Sequence, residues 1–209
     1  MSMQSIAKSA RARGPAEHAV RDQIVEAAHD YFAHYGYAKT TVADLAREIG
    51  FSKAYIYRFF ESKQAIGEAI VGGCLDEILV KAREAVQSGR DANDKVRKFA
   101  EAVTSASIDL AFNDRKIYEV AKHASSENWA PVQAYIERLQ SILEEVLKEG
   151  RESGQFERKT PIDETRRAIY YALLPFLDPV YLQRTIDLLP DAQTDVINLI
   201  LRSLAPNSR

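Results

Sequence analysis

Cysteine, histidine and glycine-rich turns are all scarce in this chain of 209 residues, and each scarcity closes off a class of protein. A single cysteine, Cys74, leaves no internal disulfide framework. Only four histidines are present, and His29 and His34 stand five apart, off a common helical face, so no metal-ligand spacing arises. There is no P-loop, no glycine-rich dinucleotide turn and no nucleophile elbow, so no catalytic residue, metal or cofactor is assigned and an enzyme is not expected. Nowhere does an apolar run approach the roughly 18 residues of a membrane helix. The opening stretch MSMQSIAKSARARG carries cations but no apolar h-region, which argues against a secretory signal. These absences point to a cytoplasmic protein without a membrane partner.

What is present is helical periodicity from end to end, with no alternating strand pattern, so the expected class is all-α. Hydrophobic residues at 46% and charged residues at 28% are ordinary for a globular protein able to bury a substantial core. The net charge of −2 divides unevenly. Residues 1–64 carry nine Lys/Arg against seven Asp/Glu, and the remainder carries nineteen against twenty-three. Acidic balance overall therefore does not forbid nucleic acid, provided that cations cluster on the contacting face.

One stretch organises the chain: TTVADLAREIGFSKAYIYRFFESK, from Thr40 to Lys63. Val42, Leu45, Ala46 and Ile49 form one apolar helical stripe, with Thr41 and Asp44 spaced as a capping box. Gly50 supplies the stop. After Phe51, Ser52 is placed to cap a second helix that turns Ile56, Phe59 and Phe60 inward and leaves Lys53, Ala54, Tyr55, Tyr57 and Arg58 toward solvent. Two helices joined so tightly cross steeply, as in a helix-turn-helix. Spacing alone also fits a plain helical hairpin with a solvated face.

The same residues resemble the N-terminal domain of the TetR family of bacterial transcriptional regulators. The likeness lies in Thr40-Thr41-Val42, Leu45-Ala46, Gly50-Phe51-Ser52, the run Ala54-Tyr55-Ile56-Tyr57-Arg58-Phe59-Phe60, and Ser62-Lys63. It covers about residues 17–70. The resemblance implies a three-helix DNA-binding domain followed by a larger helical ligand-binding and dimerisation domain. It implies that Thr41 presents its hydroxyl and backbone to a phosphate, and that Ser52, Lys53, Ala54 and Tyr55 meet bases and nearby phosphates. Tyr57 matches a phosphate-touching tyrosine, Arg58 a common polar position, and Lys63 the lysine that opens the fourth helix against the DNA backbone. Ala43 departs from the pattern, since many relatives place a polar residue there, and this shifts base reading toward Lys53 and Tyr55.

The expected domains are a flexible basic arm over 1–15, the helix-turn-helix domain over 16–63 and the C-terminal domain over 64–209. In the arm, Lys8, Arg11 and Arg13 either reach DNA or merely solvate a leader. The first helix is expected from about Glu17 to Tyr35, with Val20, Ile24, Ala27, Ala28, Tyr31 and Phe32 inward and Gly36 as its end. A long helix from about Ser62 to Ser88 contains Gly72-Gly73, a pair costing about 2 kcal/mol relative to alanine. The pair either permits a kink or close backbone approach, or divides two shorter helices. Cys74 reads as a small buried apolar group. Further helices follow, including one opened by Thr160-Pro161 and a last one from about Asp191 to Leu204.

No motif marks the C-terminal two-thirds. The resemblance implies a homodimer built on about 162–178 and 191–204, with Ile169, Leu173, Phe176 and Leu177 in the shared interface. Large amphipathic side chains expected around a ligand are Phe112, Tyr118, His123, Trp129, Tyr135, Tyr170 and Tyr171. The expected function is a repressor of a near-palindromic double-stranded DNA operator, released by a small, largely apolar or aromatic inducer. The alternative is a protein of the same fold that takes no small molecule and answers to a protein partner.

Overall fold

Residues 15–206 are described by the computed structural model, and helix is their regular structure throughout. The basic leader with Lys8, Arg11 and Arg13 lies outside the described residues, while Pro15, grouped with that arm from the sequence, already belongs to the first helix. Helix α1 (Pro15–Tyr35) stops where the backbone turns left-handed at Gly36, φ 83°. A second left-handed glycine, Gly50 at φ 70°, makes the corner between α2 (Val42–Glu48) and α3 (Lys53–Ile56). A Cβ at either position would cost about 1–2 kcal/mol, which is why glycine holds both corners. Ile24, Ala28 and Phe32 of α1 close over Val42, Leu45, Ala46, Ile56 and Phe60 in one buried cluster.

Gly72 and Gly73 do not divide the next segment. Helix α4 (Lys63–Gln87) runs unbroken from its cap Ser62 to Ser88. The close approach expected at that pair belongs instead to Gly67, nearer the start of the helix. A Cβ on Gly67 would stand 3.0 Å from Trp129 Cζ3 and 3.1 Å from Tyr37 Cε2, whereas one on Gly73 would meet nothing within 4 Å. Glycine at 67 thus lets an indole and a phenol lie close against the helix. Cys74, half-buried on α4, has its thiol pushed up to about 11 by burial, then by the Glu77 and Asp114 charges.

The C-terminal body consists of α5 (Ala92–Asn113), α6 (Arg115–Ser126), α7 (Ala130–Glu152), α8 (Ile162–Leu177), α9 (Pro179–Thr185), a 3-10 turn at Ile186–Leu188, and α10 (Asp191–Leu204). Its core gathers Val71, Leu75, Ile78 and Leu79 of α4 with Phe99, Val103, Leu139, Leu143, Leu147 and Leu173. Helix α4 therefore belongs to both cores. So does α6: Ile117, fully buried, packs into the N-terminal cluster, while Val120 and Ala124 pack into the C-terminal one.

Three expectations need correction. Thr160-Pro161 is not a cap followed by a helical proline. Pro161 itself is the N-cap residue of α8, and the Arg151 guanidinium donates to the Thr160 carbonyl at 2.7 Å. Helix α9 was not anticipated, although Asp178 followed by Pro179 is a start signal: the Asp178 carboxylate accepts from the Val180 and Tyr181 amides at 2.9 and 3.3 Å. Finally, Ile169, Leu173, Phe176 and Leu177 are at most 5% exposed and sit in the chain's own core, so they are not available to a partner. Periodicity identified them as inward; it did not say toward what.

Candidate nucleic-acid interface and effector cleft

Thr41 closes a capping box on α2. Its hydroxyl oxygen accepts from the Asp44 amide at 3.2 Å, and its own amide donates to Asp44 Oδ2 at 3.1 Å. The hydroxyl proton also goes to Asp44 Oδ2, at 2.6 Å. These bonds from Thr41 hold the Asp44 carboxyl below its ordinary value. Beyond the Gly50 corner, the Tyr55 amide donates to Ser52 Oγ at 3.1 Å, fixing the start of α3. That helix is only Lys53–Ile56 long, continued to Phe60 by single turns. Ile56, fully buried, anchors it from beneath.

Above that anchor the exposed edge carries Ser52, Lys53, Ala54, Tyr57 and Arg58 together. Lys53 Nζ lies 5.7 Å from the Tyr57 ring centre, so ammonium and phenol form one unit. Tyr55 departs from expectation. It is half-buried in an edge-on aromatic row, 5.1 Å from Phe51 and 5.4 Å from Phe59, with the Arg58 guanidinium 5.5 Å over its ring. Tyr57, 43% exposed, is the freer of the two tyrosines. Lys63 also turns differently. Its ammonium donates to the Tyr37 and Thr40 carbonyls at 3.0 and 3.1 Å and stands 4.3 Å from the Tyr37 ring, and burial lowers its pKa. In this conformation it ties the α1–α2 loop to the head of α4, so that of the three cations expected to face DNA only Lys53 and Arg58 stand exposed.

The seven ligand candidates scatter. Phe112 is 76% exposed, on the surface of α5. Tyr118 is buried, and its hydroxyl donates to the Pro179 carbonyl at 2.8 Å. Trp129 and His123 pair edge-on at 5.5 Å, and both meet Tyr37 at the junction of the two cores. Tyr135, Tyr170 and Tyr171 do come together. Tyr135 and Tyr170 line an inner slot of about 20 Å³ with Val71, Leu75, Leu139 and Leu177. Tyr170 and Tyr171 line an outer cleft of about 720 Å³ between α7, α8 and α9, and the two spaces share Ser125, Val132, Ile136, Tyr170 and Asp178. The aliphatic walls were readable only as core positions; Asp178 was readable as a cap. No helix of the described residues is long and apolar enough to cross a membrane.

A short, exposed, basic second helix on a rigid three-helix base, followed by a helical body with a cleft, defines a one-component DNA-binding regulator. Comparison with known proteins makes the class specific. The model for bacterial regulatory proteins of the tetR family matches residues 24–70, and that for the tetracyclin repressor-like C-terminal domain matches residues 92–197. The chain therefore belongs to the TetR family, whose members are DNA-binding transcriptional regulators rather than enzymes. It is 30% identical over 141 residues to the HTH-type transcriptional repressor KstR2 of Rhodococcus jostii (strain RHA1), covering 65% of this chain and 67% of that one. Among solved structures, PfmR from Thermus thermophilus matches with a TM-score of 0.55 at 26% identity, over 88% of this chain and 100% of the other. FadR from Bacillus subtilis, in complex with stearoyl-CoA, matches with a TM-score of 0.63 at 20% identity, over 88% of this chain and 98% of the other. At that identity it speaks for the fold alone.

Proposed function

We propose that the chain is a homodimeric repressor that holds a near-palindromic operator and leaves it when a small, largely apolar or aromatic molecule enters the cleft. The observation that carries this reading is the bare edge of α3, where Lys53, Ala54, Tyr57 and Arg58 stand exposed together over the fully buried Ile56. Residues 16–63 form the DNA-binding domain in this reading and 64–209 the sensing and pairing domain. Ser52, Lys53, Ala54 and Tyr55 meet base edges and flanking phosphates, Tyr57, Arg58 and Thr41 hold phosphates, and Lys63 sets the loop that carries Thr41. The name of the Rhodococcus relative, a repressor, supports the direction of control.

Dimerisation uses the outward face of α8 and α10. Their inward residues are occupied, and Arg167, Ala168, Ala172 and the 62% exposed Leu199 remain. A two-fold protein then reads two half-sites about one duplex turn apart. Release follows from α6. Its Ser125 borders both the slot and the cleft, and its Ile117 sits in the core of the DNA-binding domain. A molecule that opens the slot pushes α6 and so respaces the recognition helices. The shift can be no larger than the difference in its affinity for the two states.

One observation favours a second reading. The inner slot, at about 20 Å³, holds roughly one water in this conformation. Control by a protein partner, with no small-molecule inducer, needs no such opening. The deciding experiment is salt-dependent binding and footprinting on DNA flanking the protein's own gene. The repressor reading expects a protected near-palindrome, Lys53→Ala relaxing sequence preference, and Tyr57→Phe weakening binding evenly across sequences. Weak, sequence-blind binding untouched by either change would sink the assignment of α3 and advance the partner-driven one.

A further inference from the structure

Charge of one sign surrounds the cleft. The outer part is walled by the rings of Tyr170, Tyr171 and Tyr181 and by the carboxylates of Glu137 and Asp178, and among the described residues no lysine, arginine or histidine lines it. The inner slot likewise has no cation among the described residues, and Asp178 is its only charged group there. Neither Glu137 nor Asp178 belongs to an ion pair among the described residues, whereas Glu144, two turns along α7 from Glu137, holds both Arg166 at 2.8 Å and Lys148 at 2.7 Å. Asp178 accepts hydrogen bonds from the α9 amides, whose partial positive charge offsets part of its own, and from Ser125 Oγ at 2.6 Å, but no full cation pairs it among the described residues.

Tyr135 lines the slot with its side chain only 6% exposed, and its ring continues the aromatic wall of the cleft inward. The field of Asp178 reaches this far in: burial first, then the Asp178 charge, push the Tyr170 phenol up to about 12.

We propose that the effector of this protein is a lipophilic cation, with an aromatic or aliphatic body that enters the inner slot and a protonated or quaternary nitrogen at the mouth. There the nitrogen stands between the tyrosine rings, which attract cations to their faces, and the two carboxylates that no cation pairs among the described residues. Carboxylate, phosphate and thioester-nucleotide ligands meet those same carboxylates with no cation to offset them, so the cleft discriminates against anions by repulsion as well as by attraction. This inference rests on the effector-gated reading and names the chemistry of that effector.

Tetraphenylphosphonium and tetraphenylborate, equal in shape and opposite in charge, test it on the full chain by calorimetry, thermal melting and release of operator DNA. The phosphonium should bind, raise the melting temperature and release the DNA, with the borate at least about tenfold weaker. The double variant Glu137→Gln, Asp178→Asn keeps a side-chain oxygen at the α9 cap and removes both charges. It should narrow that preference about tenfold while melting like the parent without ligand. Equal or tighter binding of the borate overturns the inference, as does a preference unchanged in the double variant. Release by stearoyl-CoA but not by the phosphonium overturns it too, yet leaves effector gating intact. An operator complex that no compound releases brings down both.

Discussion

The two halves of the molecule use their aromatic residues in opposite ways. Around α3 the rings, half-buried or exposed, lie beside cations: Tyr57 carries Lys53, Tyr55 carries Arg58, and Phe51 and Phe59 flank Tyr55. In the C-terminal body, Tyr135 and Tyr170 are pulled inside around a slot, and the nearby charge is negative. In the proposed reading one region presents cations to a polyanion, and the other is a lined space whose contents change. A surface that must match DNA tolerates little movement, whereas a sensor needs an interior that opens.

The sharpest way to break that division is at Ile117, a residue of the C-terminal body buried in the core of the DNA-binding domain. Ile117→Ala should cost about 2–5 kcal/mol of stability in chemical denaturation. It should weaken operator binding as well, and loss of stability with DNA affinity intact would show the halves to be independent. Gly150→Ala comes next. A Cβ there would collide with the ring of Phe156, which is 2% exposed, so melting should report a loss of about 1–3 kcal/mol with the DNA contacts untouched. Asp44→Ala removes the capping box and should cost about 1 kcal/mol, visible as easier exchange of the α2 amides. Smallest in stability is Lys53→Ala, on an exposed site, where melting should move by less than about 0.5 kcal/mol while DNA affinity falls severalfold in a titration.

Much of the N-terminal half was legible because its signals are local. A cap, a stripe and a glycine lie within a dozen residues, and α2 and α3 begin where Thr41 and Ser52 predict. Lys63 was misjudged in direction since the Tyr37 and Thr40 carbonyls that hold it come from a loop more than twenty residues earlier, a relation the sequence does not display. In the C-terminal half α10 was placed from Asp191 to Leu204, because its stripe is regular. Helix α9 escaped, being seven residues long with only Leu182 buried, too short to show a period. Of the seven ligand candidates, Tyr135, Tyr170 and Tyr171 line the slot or the outer cleft, but residue type says nothing of orientation, so the exposed Phe112 stood among them.

The packing against Gly67 has a practical sequel in optics. Trp129 is the chain's one tryptophan, 4% exposed, and it rests on α4 at the junction, between Tyr37 of the DNA-binding side and His123 of α6. Its emission therefore reports a single place. If α6 slides when the cleft fills, the indole changes its neighbours and its access to water, and the native fluorescence shifts without any attached dye. The same signal, followed in a rapid mixer with operator present, would time the junction's movement against the departure of the DNA.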